Sequence, residues 1–158
     1  MDQMKMLIPN TGEHVLRIAL ADDDRDDRQF FKEAIEELSI RTTLQMFLDG
    51  QKLMDYLNTP GVHLPDLIFL DLNMPVKNGM QCLKEIRANR AFNQISIAIY
   101  STSSSELDIE DTFVNGANIY LNKPNNFAKL RESISKVLQI NWQYHTSNLN
   151  RDNFLLRL

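Results

Sequence analysis

A chain of 158 residues carrying 17 basic and 21 acidic side chains is one domain long. It holds no Lys/Arg cluster able to track a phosphate backbone, so nucleic acid is not expected as a direct partner. The single cysteine, Cys82, excludes an internal disulfide and a thiolate metal cluster, and the lack of any apolar window of signal-peptide or bilayer-spanning length points to a cytoplasmic protein with no membrane insertion.

After an N-terminal extension, residues 1–14, apolar and amphipathic runs alternate. "VLRIALA", from Val15 to Ala21, reads as a strand that stops at acids. In "DRDDRQFFKEAIEELS" Phe30, Phe31, Ala34, Ile35 and Leu38 form a helical stripe, with Asp24 as N-cap and Asp26 and Asp27 near the positive end of the helix dipole. "TTLQMFL" is a second strand and "GQKLMDYLN" a second helix, with Leu53, Met54 and Leu57 inward. "DLIFLD" is apolar at successive positions, as in a strand covered on both faces. The loop "LNMPVKNG" leads to a third helix, "MQCLKEIRAN", where Cys82 beside Met80, Leu83 and Ile86 reads as a small hydrophobe. "ISIAIYS" is a fourth strand. Ser103, three before Glu106, predicts a capping box for a fourth helix that stops at Gly116. "NIYLNKP" is a fifth strand, and "NNFAKLRESISKVLQI" a fifth helix buried through Phe127, Leu130, Ile134, Val137 and Leu138.

Five strand–helix pairs predict an α/β domain over residues 15–140: a doubly wound, five-stranded parallel sheet, flavodoxin-like, in the order 2-1-3-4-5. Residues 141–158 are left as a tail. Ligands of such sheets bind beyond the carboxyl ends of the strands. There this chain places Asp22, Asp23 and Asp24 after the first strand, Asp71 after the third, Ser101 and Thr102 at the fourth and Lys123-Pro124 at the fifth. Neighbouring first and third strands would bring carboxylates within the roughly 4–6 Å at which like charges disfavour each other. A hard divalent cation such as Mg²⁺ relieves that repulsion, and Lys123 adds a compact positive charge. An aspartate beside a metal and a lysine is equipped to accept a phosphoryl group, with Asp71 as the nucleophile. Singly, each feature also has an ordinary explanation: a helix cap, a turn aspartate, a loop lysine. Their ordered coincidence is what singles out the site.

These residues resemble the receiver domains of bacterial two-component response regulators. "IALADDDRDD" looks like that family's acidic pocket, "LIFLDLNMPVKNG" like its phosphoacceptor segment and "IYLNKP" like its lysine-proline ending, together spanning about Leu16 to Leu138. The resemblance implies a phosphoryl group on Asp71, supplied by a sensor histidine kinase or phosphotransfer protein. It implies Mg²⁺ held by Asp22, Asp23, Asp71 and the backbone carbonyl of Asn73, while Asp24, one place later, remains the helix cap. Ser101 takes the switch-hydroxyl position and Tyr120 the aromatic switch position; a cis Lys123–Pro124 peptide also belongs to the family pattern. Asn73 and Ser103 occupy places that tune phosphoryl lifetime, and neither is a strong general base, so a lifetime of minutes or more is expected.

A phosphatase of the haloacid dehalogenase type would place a second aspartate two residues after the nucleophile, where this chain has Asn73. A flavodoxin would carry its hydroxyl-rich loop after the first strand, where this chain has acids. The expected protein is therefore a signalling phosphoacceptor and not a turnover enzyme; a phosphorelay intermediate or a phosphorylation-independent scaffold is the alternative. About eighteen residues beyond the fifth helix are too few for an output module, so the signal is expected to pass to a protein partner. Within the tail, Phe154, Leu155, Leu156 and Leu158 beside Arg151 and Arg157 would either form a short docking helix, for a kinase or a second copy in a homodimer, or fold back on the domain or stay mobile.

Overall fold

The computed structural model describes residues 15–146 and 156–158. Five parallel strands form the predicted sheet: β1 (Leu16–Ala21), β2 (Thr42–Phe47), β3 (Leu67–Leu70), β4 (Ser96–Ser101) and β5 (Ile119–Asn122), in the order β2-β1-β3-β4-β5. Alternation along each strand divides the core in two. Leu16, Ile18, Leu20, Leu67 and Phe69 point to one side, where α1 (Arg25–Glu36) and α5 (Phe127–Thr146) pack through Phe31, Ala34, Leu130, Ile134 and Val137. Ala19, Ala21, Ile68 and Leu70 point to the other, toward α2 (Gly50–Leu57) and α3 (Gly79–Ala88) with Leu53, Met54, Leu83 and Ile86. All four residues of β3 are buried, which is why its sequence is apolar without alternation.

Local chemistry sets the helix starts. Asp24 caps α1, its Oδ1 accepting from the N–H groups of Asp26 and Asp27 at 2.9 and 3.0 Å. Asn78 and Gln81 form a reciprocal capping box on α3. The capping box expected for the fourth helix does not form: α4 (Glu106–Val114) starts on Ser105, whose hydroxyl accepts from Asp108 N–H, while the Ser103 hydroxyl donates to the Asp108 carboxylate at 2.7 Å. Gly116 does adopt the left-handed conformation expected of a stop residue, with φ 104°. Phe30 departs from the predicted stripe and lies 51% exposed, since a helical face that buries Phe31, Ala34 and Ile35 turns its neighbour outward. Cys82 is fully buried, and burial pushes its thiol up to about 12, as befits an inert core residue.

Two further expectations are corrected. No peptide bond among the described residues is cis, so Lys123–Pro124 is trans. The fifth helix continues past the expected boundary to Thr146, and of the alternatives open for the tail the fold-back on the domain is the one seen: Leu156–Arg157 form a sixth strand, β6, parallel to β5. The backbone edge of β5 offers unpaired groups that an extended segment satisfies, and Leu158 N–H donates to Tyr120 O at 2.9 Å. Phe154, Leu155, Arg151 and the N-terminal extension lie outside the described residues. No helix among the described residues is long and apolar enough to cross a membrane.

Candidate functional site

The site is built on strand ends. Asp71 follows the last residue of β3, and its N–H donates to Ala21 O at 3.0 Å, tying it to the end of β1. Asp22 follows β1, with its N–H on Phe47 O at 3.1 Å. Backbone pairing therefore sets both carboxylates before any side-chain contact is made. The loop after Asp71 is held from below: Gly79 N–H donates to Leu72 O at 3.0 Å, and a Cβ at Gly79 would sit on the Asp71 carbonyl oxygen and 2.8 Å from Leu72 Cα. Only a residue without a side chain permits that approach. Val76 sits at the exposed tip of the loop with φ 67°.

The carboxylates of Asp22, Asp23 and Asp71 converge, with one oxygen from each lying within 4.8 Å of the others. Asp22 is fully buried, Asp71 nearly so and Asp23 exposed. Asp22 Oδ1 accepts from Asp24 N–H at 3.0 Å, and Asp71 Oδ1 from Asn73 N–H at 3.2 Å. Lys123 Nζ reaches three carboxylates: Asp22 Oδ2 at 2.8 Å, Asp27 Oδ2 at 2.9 Å and Asp71 Oδ2 at 3.4 Å. It also lies 5.1 Å from the Tyr100 ring centroid. Burial raises Asp71 from 3.8 to about 6; Lys123 opposes that rise and Asp22 adds to it. Burial acts against the Lys123 ammonium, but Asp22, Asp27 and Asp71 more than offset it and hold its pKa above the ordinary value.

This donor set fits a small hard cation. Asp22 Oδ2 is shut from solvent, and the nearby lysine makes an ion pair with it without an aligned hydrogen bond. A buried carboxylate oxygen in that state, next to two further carboxylates, lacks ligation that a divalent ion with oxygen preference would supply.

On the other side of the site, Ser101 is buried at the end of β4, its hydroxyl oxygen accepting from Ser103 N–H at 3.0 Å. The Tyr120 ring is buried, and its hydroxyl donates to Ser103 O at 2.9 Å. Asn122 Nδ2 donates to the same carbonyl at 2.7 Å. Ser101 and Tyr120 are thus joined through Ser103, whose own hydroxyl is taken up by Asp108. The Asn73 side chain is exposed in the loop two residues beyond Asp71.

Sequence reasoning missed three contributors. Asp27 passed for a solvated acid of the first helical turn, yet it shares Lys123; its place one turn after Asp23 was the available signal. Tyr100 carries an apolar ring that packs on Phe31 and Phe69 with centroids 5.6 and 6.3 Å away, and nothing in "ISIAIYS" marks it as a wall beside the lysine. Asn122 is fixed by a contact with a loop 19 residues earlier, which periodicity does not reveal.

A family model described as the response regulator receiver domain matches residues 18–135. Response regulator Rcp1 of Synechocystis is 30% identical over 124 residues, covering 76% of this chain and 84% of Rcp1. A crystal structure of the Mn²⁺-bound form of Rcp1 superposes with a TM-score of 0.71 at 29% identity, over 77% of this chain and 91% of that one. The phosphorylated cyanobacterial phytochrome response regulator RcpA gives a TM-score of 0.75 at 27% identity, over 87% and 98%.

Proposed function

The chain belongs to the response regulator receiver family, and from that premise we propose that Asp71 accepts a phosphoryl group in a Mg²⁺-dependent reaction and that the protein signals through a switch of shape. The observation that carries this reading is the meeting of three carboxylates with Lys123 at the ends of β1, β3 and β5.

Receiver domains take their phosphoryl group from histidine kinases or phosphotransfer proteins. In the reaction proposed here Asp71 attacks the phosphorus of a phosphohistidine, a P–O bond forms as the P–N bond breaks, and the imidazole leaves with the electron pair. Asp22, Asp23, Asp71 and the Asn73 carbonyl would hold the divalent cation, which when bound neutralises charge on the transferred oxygens. Manganese in the Rcp1 crystal structure supports a divalent ion of this class, and three carboxylates with a carbonyl suit Mg²⁺. Lys123 donates to the phosphoryl group from the β5 side, and the β1–β3 backbone pairing keeps the acceptor from wandering.

The Ser101 hydroxyl is the group proposed to turn toward a phosphoryl oxygen. It now accepts from Ser103 N–H, so a move by Ser101 pulls on the residue that also receives the Tyr120 hydroxyl. In this structure the Tyr120 ring already lies inward, so phosphorylation would consolidate this arrangement. The receiving surface for a partner is the flank of α4 and β5, where Leu107, Phe113 and Val114 are exposed beside a cleft of about 360 Å³ that Tyr120 helps to line. At the two positions that tune lifetime, Ser103 is bonded to Asp108 and Asn73 is no base, which supports a phosphoryl lifetime of minutes or more. Decay within a few seconds in excess Mg²⁺ would refute that lifetime.

Intact mass after incubation with acetyl phosphate or phosphoramidate, with and without Mg²⁺, tests the core of the reading. A single Mg²⁺-dependent adduct is expected on the native protein and none on Asp71→Asn. An adduct that persists in Asp71→Asn, or a native protein that neither small donors nor beryllofluoride with Mg²⁺ perturb, would overturn it.

A further inference from the structure

An ammonium group is a compact positive charge, and in this chain three carboxylates compete for it. The two nearest to Lys123 Nζ are Asp22 at 2.8 Å and Asp27 at 2.9 Å; the acceptor, Asp71, is the most distant at 3.4 Å. Asp27 belongs to no strand end. It is the third residue of α1, a position from which an acid commonly reaches back to the backbone N–H of the cap. Here that N–H, on Asp24, already donates to Asp22 Oδ1, and the N–H groups of Asp26 and Asp27 are both satisfied by Asp24. The Asp27 carboxylate is left without a capping task and turns to the lysine instead.

We propose that Asp27 is a releasable parking partner for Lys123, holding the ammonium on the α1 side of the site until a phosphoryl group on Asp71 draws it away. This rests on the reading of Asp71 as phosphoacceptor. Two observations and a difference of charge carry it. The Asp27 side chain is 35% exposed whereas that of Asp22 is wholly buried, so water can replace the lysine at Asp27 but not at Asp22. The Tyr100 ring, its centroid 5.1 Å from Lys123 Nζ, gives the ammonium a polarisable surface beside it, so that leaving Asp27 does not leave it over bare hydrocarbon. Lastly, a phosphoryl group carries more negative charge than the carboxylate it occupies, which makes it a stronger competitor for the lysine than Asp71 alone. Asp27 is thus a positioning residue: it acts on the transferred group only through Lys123, by setting how much attraction that group must supply.

Calorimetric titration separates this role from simple support. Mg²⁺ alone, and then beryllofluoride at saturating Mg²⁺, are titrated into the native protein, Asp27→Asn, Asp27→Ala, Asp27→Glu and Asp71→Asn. With Asp27 neutral the lysine leans on Asp22 and Asp71, so Mg²⁺ alone should bind more weakly. Beryllofluoride should bind more tightly, by roughly tenfold, since it no longer has to detach the lysine from a charged partner. Asp27→Glu should restore native values on both titrations. Beryllofluoride affinity that is unchanged or weakened in both Asp27→Asn and Asp27→Ala would overturn the proposal, and so would a gain accompanied by tighter Mg²⁺ binding. A native protein that binds no beryllofluoride at all, like Asp71→Asn, would instead sink the phosphoacceptor reading beneath it.

Discussion

Helices α3 and α4 are of similar length, each follows a strand that ends at the site, and they are held in opposite ways. α3 buries Gly79, Cys82, Leu83 and Ile86 and carries a full capping box. α4 buries only Thr112 completely and leaves Leu107, Phe113 and Val114 in solvent. The first supports the loop after Asp71, where a small displacement would change the reactivity of the proposed acceptor. The second flanks Tyr120 and the cleft, where a low cost of rearrangement suits the proposed switch. One protein separates the two demands by giving one helix apolar anchors inside and the other apolar side chains outside.

The sharpest way to break this contrast is to remove equal mass from both helices. Leu83→Ala, at a fully buried position, is expected to cost about 2–5 kcal/mol in urea unfolding. Leu107→Ala, at an exposed one, should stay within about 0.5 kcal/mol. Similar losses at the two positions would mean that α4 is packed as firmly as α3, and the division of labour would fail. A smaller effect is expected from Gly79→Ala. The added methyl meets backbone of Asp71 and Leu72, which cannot rotate away as a side chain would, so a cost of about 1–3 kcal/mol should come with weaker beryllofluoride binding. Loss of stability with binding intact would show that the acceptor loop is not held in place by its contact with α3.

The same contrast explains what sequence could and could not reveal. The α3 side follows from local rules: a continuous apolar run for β3, an aspartate at its end, a helix with Cys82, Leu83 and Ile86 inward. Asp22, Asp23, Asp71 and Lys123 were legible because the parallel topology alone brings strand ends together. What escaped depends on contacts between segments far apart in the chain or on a choice between competing local bonds. Asp27 looks like any first-turn acid until Lys123, 96 residues later, is placed beside it. Ser103 matched a capping box by spacing, yet Ser105 is the cap and Ser103 binds Asp108, a choice between two local bonding patterns that composition does not decide. For Leu156 and Arg157 the sequence leaves a docking helix and a fold-back on the domain equally open, and the open edge of β5, with its backbone bonds, decides for the fold-back.

Within the acceptor loop one residue is not relaxed. Val76 has φ 67°, a conformation that crowds a β-branched side chain, and it is 78% exposed, so no packing repays the strain. Lys77 N–H donates to Pro75 O at 2.7 Å, closing a tight turn around it. Val76→Gly removes the crowding but adds freedom to the unfolded chain, and the balance is expected to be a gain of about 0.5–1 kcal/mol. A loss on substitution would show that the valine makes up for its backbone through contacts in the folded state.

The smallest expected effect lies on the other side of the comparison, at the outer edge of the sheet. Arg157 pairs with Glu106 at 2.8 Å, joining β6 to the first turn of α4, but both side chains are more than half exposed. Ion pairs of that kind contribute about 0–1 kcal/mol because water competes for both charges and two long side chains must be ordered. The β6 strand is held instead by main-chain pairing, through the register of Ile119 with Leu156 and of Tyr120 with Arg157. Arg157→Ala should therefore change stability by less than about 0.5 kcal/mol, with protection of the Leu158 amide against hydrogen exchange retained. Faster exchange at Leu158 in that variant, with the amides of β5 unaffected, would mean that the ion pair pins the strand. The docking of β6 would then depend on where α4 stands, and the loosely held helix would control the edge of the sheet as well as the cleft.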